Sequence, residues 1–404
     1  MSFPRLAVIL SILALVLAGG CATVPPVQVP LEGMPATEAA RARENLRVFN
    51  TVWDLVNRKH YDPKTQGERW DAAAKEFAPK AAAAKTRAEL YDVLNTMLAP
   101  LEDSHTSALS PERARERRTQ KRARTGFGML RLSGRWIVNE VLPESPADVA
   151  GVKIGWVVVG RNGQPLDGQP EFRPKEGDSV EFEFLDEREQ SVKLTLVAQQ
   201  LSIGSRQVMR QLDGGFVYLR FDEFAAKDRR WLSAQLKENL SAPGVVIDLR
   251  RNPGGETFSL GITIGEFFDR PVDCGTFVSR SGSRSDKDSW QLGSARYKGK
   301  VVVLVDRASG SAAEIFAAVL QDHERAKLVG RRTAGAVLAS WFYGLPDGGE
   351  LQLSREDYYA PKGRRIERAG VEPDFAIPRT FEDLRAGRDR DLEIALEILR
   401  GERS

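Results

Sequence analysis

Ser311 stands in Asp306-Arg307-Ala308-Ser309-Gly310-Ser311-Ala312-Ala313-Glu314-Ile315, directly after the apolar run of residues 301–305. The pattern predicts a buried strand, a tight glycine-containing turn, and a helix continuing through Phe316, Ala317, Val319 and Leu320. Such a turn presents a hydroxyl at a helix N-terminus, where backbone N–H groups and the helix dipole favour developing negative charge. A serine hydroxyl is a weak nucleophile, so chemistry there requires a base. Ser309, two residues earlier, reads as a structural neighbour in the turn. The chain has three histidines. His323 follows Ser311 on the same helical pattern at about 18 Å, far beyond hydrogen-bond reach. His60, in Lys59-His60-Tyr61-Asp62, reads as a helix-end residue with a surface or capping role. His105 follows Ser104 in Leu101-Glu102-Asp103-Ser104-His105-Thr106.

The elements that must hold these groups follow from periodicity. Residues 216–221, 245–249, 301–305 and 327–329 read as strands; residues 228–240, 258–268 and the segment after Ser311 read as helices. That alternation predicts an α/β domain over residues 201–380 with helices packed on a sheet. Residues 381–404 form a charged C-terminal helix with an apolar side of Leu392, Ile394, Leu396 and Leu399. Residues 37–110 read as an amphipathic helical module, with Leu46, Phe49, Val52, Trp53 and Val56, then Leu90, Val93, Leu94, Met97 and Leu98, spaced three and four apart. Residues 111–125 carry Arg113, Arg115, Arg117, Arg118, Lys121, Arg122 and Arg124, and read as a solvated, helical basic connector. A basic cluster of this kind is also suited to an anionic lipid surface.

Bulk composition narrows the function. The 404 residues are 42% hydrophobic and 28% charged, enough for several cored domains, and a net charge of only +3 implies no nucleic-acid partner. No residue pattern calls for a metal or other cofactor. Arg5 followed by the apolar residues 6–17 reads as an export signal too short to span a bilayer. It ends in Leu17-Ala18-Gly19-Gly20-Cys21, which resembles a bacterial lipobox. The resemblance implies a signal peptide over residues 1–21, acylation of Cys21, and a membrane anchor on the periplasmic face of the outer membrane, a soluble periplasmic or secreted form being the alternative. Residues 22–36, with Pro25, Pro26, Pro30 and Pro35, form a tether. Cys274 is then left without a disulfide partner and reads as buried and inert.

Residues 126–200 resemble a PDZ domain. The resemblance rests on Gly126-Phe127-Gly128-Met129, on Ser145-Pro146-Ala147 with Ala150-Gly151-Val152, and on Asn162-Gly163. It implies that Gly126, Phe127, Gly128 and Met129 form a loop that captures a peptide's terminal carboxylate while the peptide adds as a strand. Gly155-Trp156 departs from the Gly-Asp usual in that family.

Beyond residue 200 the chain resembles the S41 serine peptidases, that is, the C-terminal processing (tail-specific) proteases and their tricorn-core relatives. The resemblance rests on Asp248-Leu249-Arg250-Arg251-Asn252-Pro253-Gly254-Gly255, the Ser311 turn, Leu320-Gln321-Asp322, Gly330-Arg331-Arg332-Thr333, and Glu367-Arg368-Ala369-Gly370-Val371-Glu372-Pro373-Asp374. It implies a Clp protease/crotonase-like α/β core with an N-terminal helical module and an inserted PDZ domain. It also implies an oxyanion hole in which Gly254 or Gly255 pairs with the N–H of Ala312. C-terminal processing proteases use a Ser-Lys dyad, but Ala336 occupies the lysine position in Thr333-Ala334-Gly335-Ala336-Val337. The tricorn-like branch supplies the base from a Ser-His pair matched by Ser104 and His105. Its supporting carboxylate is matched by Glu367.

The expected activity is therefore periplasmic, C-terminal-processing serine endopeptidase action on proteins with exposed C-termini, with Ser311, His105, Glu367 and Ser104 at the site. The alternative expectation is an inactive S41-fold binding protein or a PDZ adaptor.

Overall fold

The structure, a computed structural model, describes residues 27–65, 67–166, 172–292 and 296–403. The expected export signal and lipid-anchor residue Cys21 lie outside the described residues. Among the described residues no helix is long and apolar enough to cross a membrane.

The α/β domain is built on a six-stranded sheet. Its order is Gln207–Leu212, Phe216–Phe221, Gly244–Asp248, Lys300–Val305, Lys327–Gly330, Phe375–Ala376. All neighbours are parallel except the first pair, which is antiparallel. The two-residue period of a strand sends alternate side chains to opposite faces. Val217, Leu219, Phe221, Val245, Ile247, Val301, Val303 and Val305 pack against the helices Ala226–Glu238, Thr257–Gly265 and Ala312–Asp322. Phe216, Tyr218, Val246, Val302, Leu304 and Val329 face the opposite way. They are covered by Ile394, Ala395 and Leu399 of the terminal helix Arg390–Arg400. The helix Arg390–Arg400 is therefore part of the core, closing one face of the sheet.

The N-terminal module is three helices, Ala36–Lys59, Glu68–Ala83 and Arg87–Leu98. The spacing of apolar residues translates into burial: Leu46, Phe49, Val52, Trp53, Val56, Leu90, Leu94, Met97 and Leu98 form one cluster, with Val93 at its margin. Trp53 and Trp70 donate their indole N–H groups to each other's carbonyls at 3.2 and 3.1 Å, locking the first two helices together.

The boundary between this module and the α/β domain is not where sequence reading puts it. A second sheet runs Ser107–Leu109, Glu350–Tyr359, Asp273–Ser279, Arg284–Asp288, and Ala339–Gly344 also pairs with Glu350–Tyr359. Leu351 and Leu353 from its long strand sit inside the helical module's core. The helical module and the second sheet thus share a strand.

Two connectors pack on neighbouring elements and are not fully solvated. Residues 22–36 are not all tether: Val27, Val29 and Leu31 pack on the helical module, and the Asn50 side chain bonds both the N–H and the carbonyl of Val27. The basic stretch is a helix, Pro111–Thr119, followed by a strand, Lys121–Arg124, paired with Gln199–Ser202. Arg117 and Arg118 both bond the Glu350 carboxylate, at 2.8 and 2.6 Å, so this face of the helix docks on the second sheet.

Residues 126–200 contain a six-stranded antiparallel sheet with the order Phe127–Leu132, Arg135–Val141, Val157–Arg161, Ser179–Leu185, Ser191–Val197, plus the short Gln164–Pro165. Phe127–Leu132 is an edge strand. The one helix of this unit among the described residues is Pro146–Val149. Gly126 has φ +100°, and a Cβ there would meet Ser145 Oγ at 2.1 Å, so only glycine fits. Trp156, the departure from the PDZ pattern, is accommodated as a core residue; its indole N–H donates to Glu187 at 2.9 Å.

Candidate active site

Ser311 caps the helix Ala312–Asp322 immediately beyond the strand Lys300–Val305. Its backbone sits at φ 50°, ψ −120°, a region that costs a non-glycine residue about 1–3 kcal/mol and recurs where a nucleophile is presented on a sharp strand-to-helix turn. Contacts around the residue hold that conformation. The Ser311 N–H donates to the Ala336 carbonyl at 2.7 Å and to the Glu314 carboxylate at 3.1 Å. Position 336, where a dyad lysine would stand, is thus against the serine's own backbone and carries only a methyl group. Ser309 is structural: its hydroxyl donates to the Leu249 carbonyl and accepts from Asp306 N–H, both at 2.9 Å.

Glu314 is a site residue the sequence reading passed over. It is fully buried, yet its carboxylate accepts from the N–H groups of Ser311, Gly335 and Ala336 and from the Thr333 hydroxyl. Burial raises its pKa, and the four donors act against that shift. One carboxylate therefore ties the serine turn to the whole 333–336 loop. Its position one helical turn into an apolar segment was a visible signal, since an ionisable residue there needs dedicated partners. Glu314→Ala would orphan several of these donors, at about 1–3 kcal/mol each. The expected result is a lower denaturation midpoint together with loss of peptidase activity; a variant with unchanged midpoint and turnover would remove Glu314 from the site.

The glycines behave unequally. Gly254 lies so close to the serine turn that a Cβ would meet Ser311 Cβ at 2.6 Å and Ala312 N at 2.8 Å. Its N–H, however, is already given to the Asn252 side chain at 2.9 Å. Gly255 bridges to Phe224, and a Cβ there would meet the Phe224 carbonyl oxygen at 2.5 Å. Among the described residues no hydrogen bond engages the N–H of Gly255 or of Ala312. Of the two glycines proposed from sequence, Gly255 is the one with a donor to spare, and Gly254 supplies close approach instead.

His105 and Ser104 follow the first helical module in a short loop. Asp103 builds that loop: its carboxylate accepts from His105 N–H (2.9 Å), Thr106 N–H (2.6 Å) and the Ser354 hydroxyl (2.9 Å), while its second oxygen meets His60 Nε2 at 2.7 Å. His60 does end the first helix, but it is not a surface residue. It is 1% exposed, and its Nδ1 accepts from Asp62 N–H at 3.2 Å, so Nε2 carries the proton given to Asp103. Burial alone would raise the Asp103 pKa; the His60 and Thr106 hydrogen bonds outweigh it and take the carboxyl down to about 2.

Glu367 completes the arrangement from the far end of the chain. It is 3% exposed and accepts from the Ser104 N–H (3.0 Å), the Ser104 hydroxyl (2.9 Å) and the Val337 N–H (3.0 Å). Burial raises its pKa in spite of these donors. Glu367 makes no direct hydrogen bond to His105. The Ser104 hydroxyl stands between them, 2.6 Å from His105 Nδ1. Because that hydroxyl spends its single proton on Glu367, it accepts from Nδ1–H, which leaves Nε2 of His105 as the free base. The resemblance made Glu367 the supporting carboxylate; here it acts on His105 through Ser104. Burial lowers the His105 pKa, partly offset by Asp103, and so favours the neutral ring.

These groups converge. Val337, bonded to Glu367, follows Ala336, bonded to Ser311, so the carboxylate of the histidine loop and the nucleophile's backbone share one short segment. Among the described residues no hydrogen bond joins His105 to Ser311. His323 is elsewhere, its Nε2 on the Asp273 carbonyl at 2.8 Å. Cys274 is buried, its thiol pushed up to about 12, and takes no part.

An apolar cavity of about 330 Å³ opens beside the site. Leu260, Gly261, Ile264, Ile315, Trp290 and Trp341 line it, Ile315 being one turn beyond Ser311. On the other side of the catalytic loop, Arg251, held at φ 72°, donates to the Asn139 carbonyl at 2.9 Å and pairs with Glu140. Glu140 is the cross-strand partner of Gly128.

Residues 215–377 match the family model "Peptidase family S41", and residues 41–99 match "Tricorn protease C1 domain". The chain is 28% identical over 369 residues to the carboxyl-terminal-processing protease of Picosynechococcus sp., covering 86% of this chain and 87% of that one. It is 29% identical over 354 residues to the chloroplastic carboxyl-terminal-processing peptidase 1 of Arabidopsis thaliana, covering 82% and 71%. In fold it is similar to the crystal structure of mature CPAF, with TM-score 0.65, 14% identity, and coverage of 90% of this chain and 99% of that one.

Proposed function

We propose that this chain, a peptidase carrying a family S41 domain, is a serine endopeptidase whose base is His105 rather than a lysine. The observation that carries the reading is the hydrogen-bonded series Glu367–Ser104–His105 anchored, through Val337 and Ala336, to the backbone of Ser311. In this mechanism Ser311 Oγ attacks the scissile carbonyl and His105 Nε2 takes its proton. The tetrahedral oxyanion accepts from Gly255 N–H and Ala312 N–H. Collapse breaks the C–N bond, Nε2 returns the proton to the leaving amine, and water repeats the sequence on the acyl-enzyme. Closure of the His105–Ser311 contact belongs to the substrate complex, where such bonds tighten.

The substrates in this reading are proteins with exposed C-termini. Residues 126–200 would act as a PDZ domain, with Gly126, Phe127, Gly128 and Met129 receiving the terminal carboxylate and the edge strand Phe127–Leu132 pairing with the peptide. The export signal and Cys21 support a lipid-anchored periplasmic enzyme.

A fluorophosphonate probe tests the nucleophile. Covalent labelling of Ser311, identified by peptide mapping and absent in Ser311→Ala, is the expected result. No labelling across a pH series, with peptide present, would favour the alternative, a binding protein on a peptidase scaffold.

A further inference from the structure

A second cleft, of about 620 Å³, shares two lining residues, Trp341 and Glu356, with the apolar cavity beside Ser311. It is strongly basic, lined by Arg58, Lys59, Arg280 and Arg355, with Glu356 as the one carboxylate on its wall. Arg58 is paired with Asp54. Arg280 donates to the His60 carbonyl at 2.7 Å. Lys59 and Arg355 are different. Lys59 lies over the Tyr343 ring, and Arg355 over Trp341 with a bond to the Tyr343 hydroxyl. Among the described residues neither forms a salt bridge. Among the described residues, two cations are thus held in place by aromatic rings and not by a salt bridge.

The strand Ala339–Gly344 connects this cleft to the reaction centre. It leaves the 333–337 loop that touches Ser311 and Glu367, and among the described residues it pairs only with Glu350–Tyr359, so its other edge is open. Trp341 and Phe342 on it are 46% and 41% exposed. From Ala336 to Trp341 an extended chain covers about 17 Å at ~3.3 Å per residue. Trp341 on this strand lines both the apolar cavity and the basic cleft, so the two adjoin along it.

We infer that Lys59 and Arg355 form a subsite for a carboxylate of the substrate, placed a few residues C-terminal to a large apolar side chain held in the adjoining cavity. The inference rests on the peptidase reading of Ser311. The carboxylate can be the peptide's own end or an aspartate or glutamate side chain; both present the same planar anion to a guanidinium and an ammonium. This subsite is separate from the 126–129 loop. It lets the catalytic groove itself sense how far the cut lies from a negative charge.

The experiment uses the full chain and three peptides sharing one large apolar residue and a spacer of three to six residues. One ends in a free carboxylate, one in a carboxamide, and one is amidated but carries aspartate at the same distance. The free acid is expected to be cut with kcat/KM about tenfold or more above the amide, the preference weakening as salt rises. Lys59→Gln/Arg355→Gln should collapse the acid-to-amide ratio towards one. Equal turnover of acid and amide by the unmodified chain, or a preference that the double variant keeps, overturns the inference; the latter assigns recognition to the 126–129 loop. The aspartate peptide separates a chain end from a side chain as the source. If no peptide is cut, the peptidase reading has failed, and fluorescence anisotropy with the same peptides decides the subsite alone. Tighter binding of the acid that the double variant abolishes supports it; equal binding refutes it.

Discussion

Replacing His105 with alanine is expected to lower kcat by about 10²–10⁴-fold while peptide affinity and the denaturation midpoint stay near their original values. The ring makes few structural contacts: its Nδ1 meets Ser104, and the loop itself is held by Asp103 through the backbone. The pH profile carries the same signature. A base works only when neutral, and burial lowers the His105 pKa. The acid limb of kcat/KM should therefore fall below the ordinary histidine value near 6.5, so activity persists into mildly acid solution. Ser104→Ala removes the acceptor of Nδ1–H and should lower kcat with a changed acid limb, because the tautomer is no longer fixed. Full activity in His105→Ala would exclude the histidine mechanism outright.

The second large effect belongs to Asp103. Its substitution by alanine leaves the His60 N–H, two backbone N–H groups and the Ser354 hydroxyl without their acceptor in a buried place. At about 1–3 kcal/mol per orphaned donor, the loss should exceed about 3 kcal/mol in a urea titration. Activity should fall too, since the same carboxylate shapes the backbone that carries the base. The linkage has a definite sign. A folded pKa of about 2 lies below the ordinary aspartate value of 3.8, so the stabilisation is complete above that value and disappears as pH falls from there towards 2. Asp103→Ala should lack that part of the acid transition. A variant within 1 kcal/mol of the original, with the same acid limb, would show that the loop is held by something else.

Much of the site was legible because each member sits in a local pattern. Ser311 announces itself by an apolar strand, a glycine and a helix start; Ser104-His105 and Glu367 are carried by short motifs. The parallel sheet was legible for the same reason, since its buried strands are continuous apolar runs. What escaped were roles settled by distant partners. His60 looks like a helix cap until Asp103, from another segment, meets it. Asn252 looks like a turn residue, yet it consumes the Gly254 N–H and moves the available donor to Gly255. Glu314 reads as one more helix acid until four donors converge on it. The shared strand Glu350–Tyr359 also erased a domain boundary that composition had drawn, because a helical module that borrows two leucines from a strand gives no local sign of it.

That strand has a consequence for biosynthesis. His105 comes early in the chain, Ser311 much later, and Glu367 and the strand that fixes the Asp103 loop later still. Contacts this far apart in sequence form late in folding, after the local helices. In the proposed mechanism the chain thus carries Ser311 before the residues that would activate it are in place. In the proposed mechanism, proteolytic competence would arrive only when these last pieces of sheet have closed.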